Sequence, residues 1–355
     1  MGNLVNQQSK LLSTLEALPR LQCRISERPV VSSCPVDELL VDRLFERVLS
    51  ETPRISVICS VQHEGHIAAL PGLMQQRLPF NEFEVIVVDS IGTVSFADAV
   101  NEIVAQPGFS MQLRALRSVK GGRALAHNIG VRLARSNVLV FLGDDFAPPE
   151  TFLDAHLKFH QIHCELTAVG IGAGLFPGEL RDTAFRRWLE DSGSLYGIPY
   201  TKQPVQIPQD FFFSGNSSVK KELIENAGYF DEDFKHDAMD DYELSRRLAK
   251  IGSHSGFVTG AECLHQHSVT FIDRCTTMKL AGEAACVFDC KYPGAKSWHA
   301  DFASHPAKHR AIACMGMVAY LFSGDRTMQH RYWNKFLKAS FIEGYLEKLR
   351  TLIEI

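Results

Sequence analysis

Short apolar runs alternate with amphipathic segments from residue 55 onwards. Four runs predict strands, the third more weakly than the others: Ile55–Ser60, Phe83–Asp89, Gln112–Leu116 and Val138–Gly143. Amphipathic patterns around Ile67–Gln76 and over Arg123–Arg135 predict helices between them. Strands and helices that alternate at this spacing are typical of a mostly parallel sheet covered on both faces. The predicted fold class is therefore α/β, a Rossmann-like sheet flanked by helices.

The two ends of the chain have different patterns. Residues 1–50 predict helical segments broken at prolines, and they carry no chemical signature. Residues 271–355 predict mainly helices. Among them, the apolar run Ile312–Phe322 is shorter than the roughly 20 residues that cross a bilayer, and we interpret it as a core helix. We therefore divide the chain into a helical N-terminal extension (1–50), a sheet domain (51–270) and a helical C-terminal region (271–355).

Composition narrows the classes of protein that fit. With 355 residues, 45% of them hydrophobic, the chain can form a proper core, and its net charge of -4 gives no reason to expect a nucleic-acid partner. Nine cysteines without a repeated spacing indicate reduced thiols rather than a zinc site. The N-terminus lacks a signal-peptide pattern. We expect a cytoplasmic protein; peripheral association with the inner face of the membrane and self-association through the helical ends both stay open.

Two adjacent carboxylates, Asp144 and Asp145, follow the strand Val138–Gly143. The carboxyl ends of strands in an open α/β sheet are where ligands bind. Neighbouring carboxylates repel each other unless a cation is present, and a hard divalent ion such as Mg²⁺ or Mn²⁺ suits them. The alternative is a polar turn, in which Asp is common.

Further polar residues follow the other predicted strands. Ser60 and Asp89 fall at the same edge of the sheet, and Asp89 can accept hydrogen bonds from a nucleobase or a ribose, or can cap a turn. Lys120 and Arg123 flank a pair of glycines at a helix start, an arrangement that suits phosphate but also fits a loop with solvated charges.

Two later segments complete the set of candidates. Asp240 and Asp241 open a predicted helix that runs to Ile251; both can cap it, or one can cap while the other acts as a general base. His265 and His267 alternate along an extended segment, which places both imidazoles on one face. Imidazole is a ligand for Mn²⁺, although a histidine pair on a wet face requires no metal.

In this order and spacing, the segments resemble glycosyltransferase family 2, a group of inverting enzymes with the GT-A fold. The resemblance covers about residues 55–270. It is carried by seven segments of the sequence: Ile55–Ser60, Val85–Asp89, Gly122–Gly130, Gly143-Asp144-Asp145, Ser214-Gly215-Asn216 with Gly228–Asp231, Asp240-Asp241 with Tyr242-Glu243-Leu244, and His265.

The resemblance implies a role for each matching residue. It implies Asp241 as the catalytic base, and Asp145 and His265 as ligands of Mn²⁺ or Mg²⁺. The implied donor is a nucleotide-sugar, most often a UDP-sugar in this family, and the acceptor is a carbohydrate or another hydroxyl compound. The residues expected to contact the donor are Ser60, Asp89, Lys120, Arg123, Asn128, Asp144, Gly215 and Asn216. Trp188 and Asp240 are candidates for the acceptor side, although Trp188 is equally suited to the core.

The implied reaction is a single displacement, which inverts the anomeric carbon. Asp241 would take the proton of the attacking hydroxyl, and because it lies at a helix start we expect it to stay ionised near neutral pH. The chain departs from the family pattern at Gly143, where the first metal-site Asp is usual, at His127 and at Ser90. Two alternatives stay open: a non-catalytic binding or scaffold protein on a degenerate fold of this type, and a nucleotidyltransferase.

Overall fold

The computed structural model describes residues 41–64, 67–92, 94–199, 205–234, 239–292 and 306–353. These residues fall into two compact units, the larger within Val30–Lys235 and Asp240–Ser268 and the smaller within Val269–Ile355. The predicted N-terminal extension lies outside the described residues up to residue 40. The predicted domain limits stay predictions.

The larger unit alternates strands and helices along most of its length. Its described strands are β1 (Val41–Arg47), β2 (Ile55–Val61), β3 (Phe83–Asp89), β4 (Gln112–Ser118), β5 (Val138–Gly143), β6 (Phe146–Ala147), β7 (Ala168–Ile171), β8 (Gly174–Leu175), β9 (Asn216–Lys220), β10 (His254–Phe257) and β11 (Cys263–His265). Its described α-helices are α1 (Ala69–Leu73), α2 (Phe96–Val104), α3 (Arg123–Leu133), α4 (Phe152–Ile162), α5 (Ala184–Asp191), α6 (Lys221–Asn226) and α7 (Asp240–Lys250).

Eight of the described strands form one sheet in the order β1-β4-β3-β2-β5-β9-β7-β10. Strands β4, β3, β2 and β5 pair in parallel, as do β7 and β10, while β1 and β9 pair antiparallel with their neighbours. The mostly parallel sheet that we predicted is confirmed. A smaller sheet of β6, β11 and β8 carries His265 at the end of its middle strand.

Alternating residues of the central strands pack into two separate hydrophobic cores, one on each face of the sheet. Val57 and Cys59 of β2 pack into one core, and Ile58 packs into the other. All seven residues of β2 and of β3 are buried. Strands that are covered on both faces consist of nearly continuous apolar runs, and this is why their positions could be predicted from the sequence.

The segment Val41–Arg47 corrects one prediction, since we expected helix there and the structure has strand β1. The spacing of Val41 and Phe45 fits one face of a helix. In the sheet, β1 instead pairs antiparallel with β4 and is interrupted by a bulge between Arg43 and Phe45. The bulge turns Val41 and Phe45 towards opposite cores. Pairing with a distant strand therefore overrides the local pattern.

The smaller unit contains α8 (Phe271–Lys291), α9 (Pro306–Ser323) and α10 (Arg326–Ile353), so the predicted helical C-terminal region is present. The apolar run within α9 is helical but is not a core helix, because only the face with His309, Ala313 and Gly316 is buried. Leu321 and Phe322 are 73% and 89% exposed. Among the residues that the structure describes, no helix is both long and apolar enough to cross a membrane.

Candidate active site

The order of the strands brings distant residues to one edge of the sheet. Strand β2 lies between β3 and β5, with Val61 opposite Asp89 and Ser60 opposite Gly143. All three strands run in parallel, so the loops that follow them emerge side by side. The residues after β2 and after β5 therefore meet at the carboxyl edge of the sheet, as the sequence predicted.

Asp144 is held firmly by the loop that follows β2. Its Oδ2 accepts hydrogen bonds from the backbone N–H groups of Gln62, at 2.7 Å, and His63, at 2.9 Å. Its Oδ1 lies 3.0 Å from Nδ1 of the His63 ring. Asp144 is only 2% exposed. One carboxylate oxygen thus fixes the loop, and the other faces an imidazole.

Asp145 connects β5 to the small sheet. Its Oδ2 lies 2.7 Å from Nε2 of His265, and its backbone oxygen accepts a hydrogen bond from the N–H of Gln266 at 2.8 Å. Burial acts to raise the pKa of Asp145, but the hydrogen bond and charge of His265, with the charges of His63 and His267, outweigh burial and lower that pKa below its usual value. The carboxylate is therefore ionised at neutral pH.

The chemistry of these side chains fits a divalent cation. Ligand atoms of His63, Asp144 and Asp145 lie within 4.8 Å of one another, and Nε2 of His265 lies 2.7 Å from Oδ2 of Asp145. His265 is 4% exposed, and its buried Nδ1 has no hydrogen-bond partner among the described residues. Carboxylate oxygens combined with imidazole nitrogens suit Mn²⁺ better than Mg²⁺. Asp145 and His265 were the predicted ligands, and the structure places His63 and Asp144 close to Asp145 as further candidates.

Gly143 explains how the shortened acidic motif is accommodated. A Cβ atom at residue 143 would lie 2.6 Å from the Phe146 ring and 3.0 Å from Oδ1 of Asp145. The backbone N–H of Gly143 also donates to the carbonyl of Gly215 at 2.9 Å. A side chain at this position would therefore displace the aromatic ring or the carboxylate. In this chain the acidic residue is absent where there is no space for it, and His63 approaches the two carboxylates from the loop after β2.

Asp241 is the second residue of helix α7, and it contacts Ser214, which lies two residues before strand β9. Its Oδ2 accepts hydrogen bonds from the backbone N–H and the hydroxyl of Ser214, at 3.2 and 3.1 Å, and from Arg123 at 3.1 Å. Its Oδ1 is buried and has no hydrogen-bond partner in the described part of the chain. Ser214 immediately precedes Gly215, whose carbonyl is bonded to Gly143. A short chain of bonds thus joins Asp241 to the Asp144–Asp145 turn.

The protonation of Asp241 differs from our expectation that a helix start keeps it ionised. Burial raises the pKa of Asp241 to about 7; the charge of Arg123 and the hydrogen bonds of Ser214 lower it, and the charge of Asp240 raises it. Desolvation outweighs the helix start because the carboxyl is only 9% exposed. A carboxyl with this pKa can both accept and release a proton near neutral pH.

Arg123 and Asp240 form an ion pair next to Asp241. The guanidinium bonds both oxygens of Asp240, at 2.9 and 2.5 Å, and Asp240 is fully buried. We expected Arg123 to contact the donor and Asp240 to contact the acceptor. In this arrangement the two side chains neutralise each other's charge. Lys120 is exposed at the same edge, beside Gly122, whose φ of 127° requires glycine at the start of α3.

Two predicted donor contacts hold neighbouring segments of backbone. Asp89 is buried: its Oδ1 accepts from the N–H groups of Ile91 and Gly92, and its Oδ2 accepts from Arg117 at 2.9 Å. Asp89 therefore caps the turn after β3, which was the alternative to a nucleotide contact. The Ser60 hydroxyl accepts a hydrogen bond from the Gln62 side chain at 2.8 Å, in the same loop that holds Asp144.

Asn128 and Asn216 are placed differently from the expected donor contacts, since both are completely buried. The Asn128 amide donates to the carbonyl of Phe230 and accepts from its N–H, at 2.9 and 2.8 Å. The Asn216 amide donates to the carbonyls of Ala173 and Ala261, at 2.9 and 2.7 Å. In both cases the amide bonds backbone groups of the buried interior, where polar groups are normally hydrogen-bonded.

Trp188, a candidate for the acceptor side, is 7% exposed on α5 and has its ring 5.8 Å from that of Phe185. Its burial matches the alternative of a core residue. Sequence reasoning missed two residues of the site, His63 and Ser214. A signal for His63 was present, because it follows the strand adjacent to β5. Ser214 stands in the segment Ser214-Gly215-Asn216 that resembles the family, but its contact with Asp241 depends on tertiary structure.

Known proteins resemble the chain in both fold and sequence. The mannosyltransferase PcManGT from Pyrobaculum calidifontis, solved with GDP-Man and Mn²⁺, has a similar fold: the TM-score is 0.55 over 98% of this chain and 97% of that one, at 19% identity. This likeness shows that the chain has the GT-A fold. Residues 46–226 match Glycosyl transferase family 2, and the chain belongs to that family.

Two curated relatives are much longer than this chain. Hyaluronan synthase of Pasteurella multocida is 24% identical over an alignment 217 residues long, which covers 52% of this chain and 21% of that protein. Chondroitin synthase of Escherichia coli is 24% identical over an alignment 281 residues long, which covers 68% of this chain and 37% of that protein. The chain therefore spans well under half the length of these two relatives.

Proposed function

We propose that this protein transfers a sugar from a nucleotide-diphosphate sugar to an acceptor hydroxyl, with inversion at the anomeric carbon and with a divalent cation. The environment of Asp241 carries the proposal. One of its oxygens is fixed by Ser214 and Arg123, while no described residue bonds the other oxygen. A carboxylate that is oriented in this way, and has a free oxygen, is equipped to accept a proton from a bound hydroxyl.

Asp241 would act while the acceptor attacks. The acceptor oxygen forms a bond to the anomeric carbon, its proton passes to Oδ1 of Asp241, and the bond from the anomeric carbon to the diphosphate oxygen breaks. The electron pair of the broken bond stays on the diphosphate. Because attack and departure occur on opposite faces in one displacement, the anomeric configuration inverts. With a pKa of about 7, a substantial fraction of Asp241 is ionised at neutral pH.

The negative charge of the donor diphosphate would be neutralised at the Asp144–Asp145 turn. Asp145 and His265, with His63 and Asp144, are the residues that would hold a divalent cation, and such an ion stabilises charge on a departing diphosphate. Lys120, exposed at the same edge, is the cation that we assign to the diphosphate. Arg123 is engaged with Asp240 and would instead position Asp241.

The donor and acceptor classes are part of the proposal. The family resemblance makes a UDP-sugar the first donor to test. The curated relatives are named for hyaluronan and chondroitin, which are polysaccharides, and this favours a growing polysaccharide chain as the acceptor. The match to both relatives is partial, so other hydroxyl acceptors belong in the same screen.

A thermal-shift screen of sugar nucleotides with and without Mn²⁺ tests the proposed donor site, because a ligand that binds the folded state raises its melting temperature. We expect at least one donor to stabilise the wild type only when Mn²⁺ is present. Asp145→Ala should lose that stabilisation, and Asp241→Asn should keep it. Asp154→Asn changes an exposed carboxylate of α4 and serves as the control. Donor binding that is unaffected by Asp145→Ala would refute the metal assignment.

A further inference from the structure

A second group of metal-binding side chains lies in the larger unit, away from the carboxyl edge. His163, Glu165 and His254 offer ligand atoms that lie within 4.8 Å of one another. Nε2 of His254 is 2.7 Å from Oε1 of Glu165, and Nδ1 of His163 is 3.5 Å from the same oxygen. The three side chains are partly exposed, between 38% and 44%, so an ion can reach them from solvent.

The backbone holds all three residues in place. His163 ends helix α4, where its N–H donates to the carbonyl of Phe159 at 2.8 Å. His254 is the first residue of β10, and its N–H donates to the carbonyl of Thr167 at 3.0 Å. The carbonyl of Glu165 accepts from the N–H of Ala168, the first residue of β7, at 3.3 Å. The backbone positions of the three residues are therefore fixed, with their ligand atoms within 4.8 Å of one another.

We propose that His163, Glu165 and His254 form a second divalent-cation site, selective for a Zn²⁺-like ion. Two imidazoles and one carboxylate are a common zinc ligand set that leaves a position for water. With bonds of about 2.1 Å, ligand atoms around a tetrahedral zinc ion are about 3.4 Å apart, and the two measured separations of 2.7 and 3.5 Å lie on either side of this value. This ligand set favours Zn²⁺ over Mn²⁺.

The charge of the site supports the assignment. Glu165 supplies the carboxylate of the site, and both imidazoles lie against its Oε1. The positive charge of Lys220 also acts on this region, since Lys220 and Glu165 interact electrostatically. We therefore expect weaker zinc binding than at a closed structural site with thiolate ligands.

The position of the site indicates what the ion would do. Strand β10 is at the edge of the sheet and pairs with β7 alone among the described strands of that sheet. A bound ion would tie the first residue of β10 to the end of α4 and to the segment that enters β7. An edge strand has one side without a neighbouring strand, and a metal ion bound between the strand and adjacent segments would restrain its movement. The chain continues from β10 to β11 and His265, so the bound ion would also stabilise the segment that leads to the candidate active site.

Calorimetric titration with Zn²⁺ tests the site, and the readout is the number of ions bound. We expect His254→Ala to remove one equivalent of bound Zn²⁺ from the wild type. The same substitution should remove one equivalent from Asp145→Ala, a variant that lacks an intact site at the carboxyl edge. Glu165→Gln should have the same effect. Cys164→Ser and His330→Ala should each still bind that equivalent of Zn²⁺. This result would exclude, as zinc ligands, the neighbouring exposed thiol and a histidine of the smaller unit.

The result does not depend on transferase activity, so failure here and failure of the proposed function are distinguishable. Circular dichroism of each variant in the absence of metal confirms that it is folded. The melting temperature of Asp145→Ala should rise with Zn²⁺, and this rise should vanish in Asp145→Ala with His254→Ala. Equal zinc stoichiometry with and without His254, or no zinc bound by Asp145→Ala, would overturn the proposal.

Discussion

Asp241→Asn should make the protein more stable at alkaline pH while removing the proposed base. Burial raises the pKa of Asp241 from 3.8 to about 7. A carboxyl whose pKa is raised on folding binds its proton more tightly in the folded state than in the unfolded one. Its contribution to stability is therefore complete below pH 3.8 and declines as the pH rises towards 7.

The size of this effect follows from the pKa. Each pKa unit corresponds to about 1.4 kcal/mol, so ionised Asp241 costs the folded state about 4 kcal/mol above pH 7. Asparagine cannot ionise and avoids this cost. Between pH 5 and pH 8.5, the stability of Asp241→Asn relative to wild type should increase by about 3 kcal/mol, equivalent to a change in relative melting temperature on the order of 5 °C.

Melting curves of both proteins at pH 5 and pH 8.5, recorded by circular dichroism without added metal, measure the effect. Other groups that titrate in this range act on both proteins and cancel in the difference. Asp154→Asn, which changes an exposed carboxylate, should show no pH-dependent difference from wild type. A difference between Asp241→Asn and wild type that is the same at both pH values would refute the raised pKa.

Three further predictions concern Asp241, Asn128 and Gly143. Transfer (kcat/KM) should rise with pH through about 7, because Asp241 must be ionised to accept a proton; a flat profile from pH 6 to 8 would contradict this. Asn128→Ala should lower the free energy of unfolding by about 2–4 kcal/mol in urea titrations, because it leaves the buried N–H and carbonyl of Phe230 without partners. Gly143→Asp should weaken Mn²⁺ binding measured by electron paramagnetic resonance, because the new side chain collides with Phe146; tighter binding would contradict the steric explanation.

Asn128→Ala also separates two roles for that residue. Asn226→Ala, an exposed change at the end of α6, should have little effect and serves as its control. If Asn128→Ala keeps normal stability but loses donor binding, Asn128 belongs to the donor site after all. Loss of stability without a specific loss of donor affinity would agree with its buried position.

The central strands could be predicted from the sequence because burial on both faces requires continuous apolar runs. Strands β3 and β5 have the predicted limits, Phe83–Asp89 and Val138–Gly143, and α3 begins at Arg123 as predicted. The positions of Asp144 and Asp145 follow from the end of β5. A strong local pattern that ends in charged residues needs no tertiary information.

The missed features depend on contacts between distant parts of the chain. Strand β1 forms because β4 offers an unpaired edge, which the sequence of residues 41–47 does not reveal. Asn128 and Asn216 belong to segments that resemble the family, but their amides satisfy buried backbone groups. The raised pKa of Asp241 reflects burial that outweighs the helix start. In each case, contacts between distant parts of the chain override what the local sequence predicts.

Release of nucleoside diphosphate from sugar nucleotides tests glycosyl transfer at this site most directly. Purified protein is incubated with Mn²⁺, a panel of donors that begins with UDP-sugars, and a panel of hydroxyl acceptors. We predict release with at least one donor in the wild type and in Asp154→Asn, and none above background in Asp241→Asn or Asp145→Ala. Equal release by wild type and Asp241→Asn, or no release from any donor together with no Mn²⁺-dependent nucleotide binding, would contradict the proposed function.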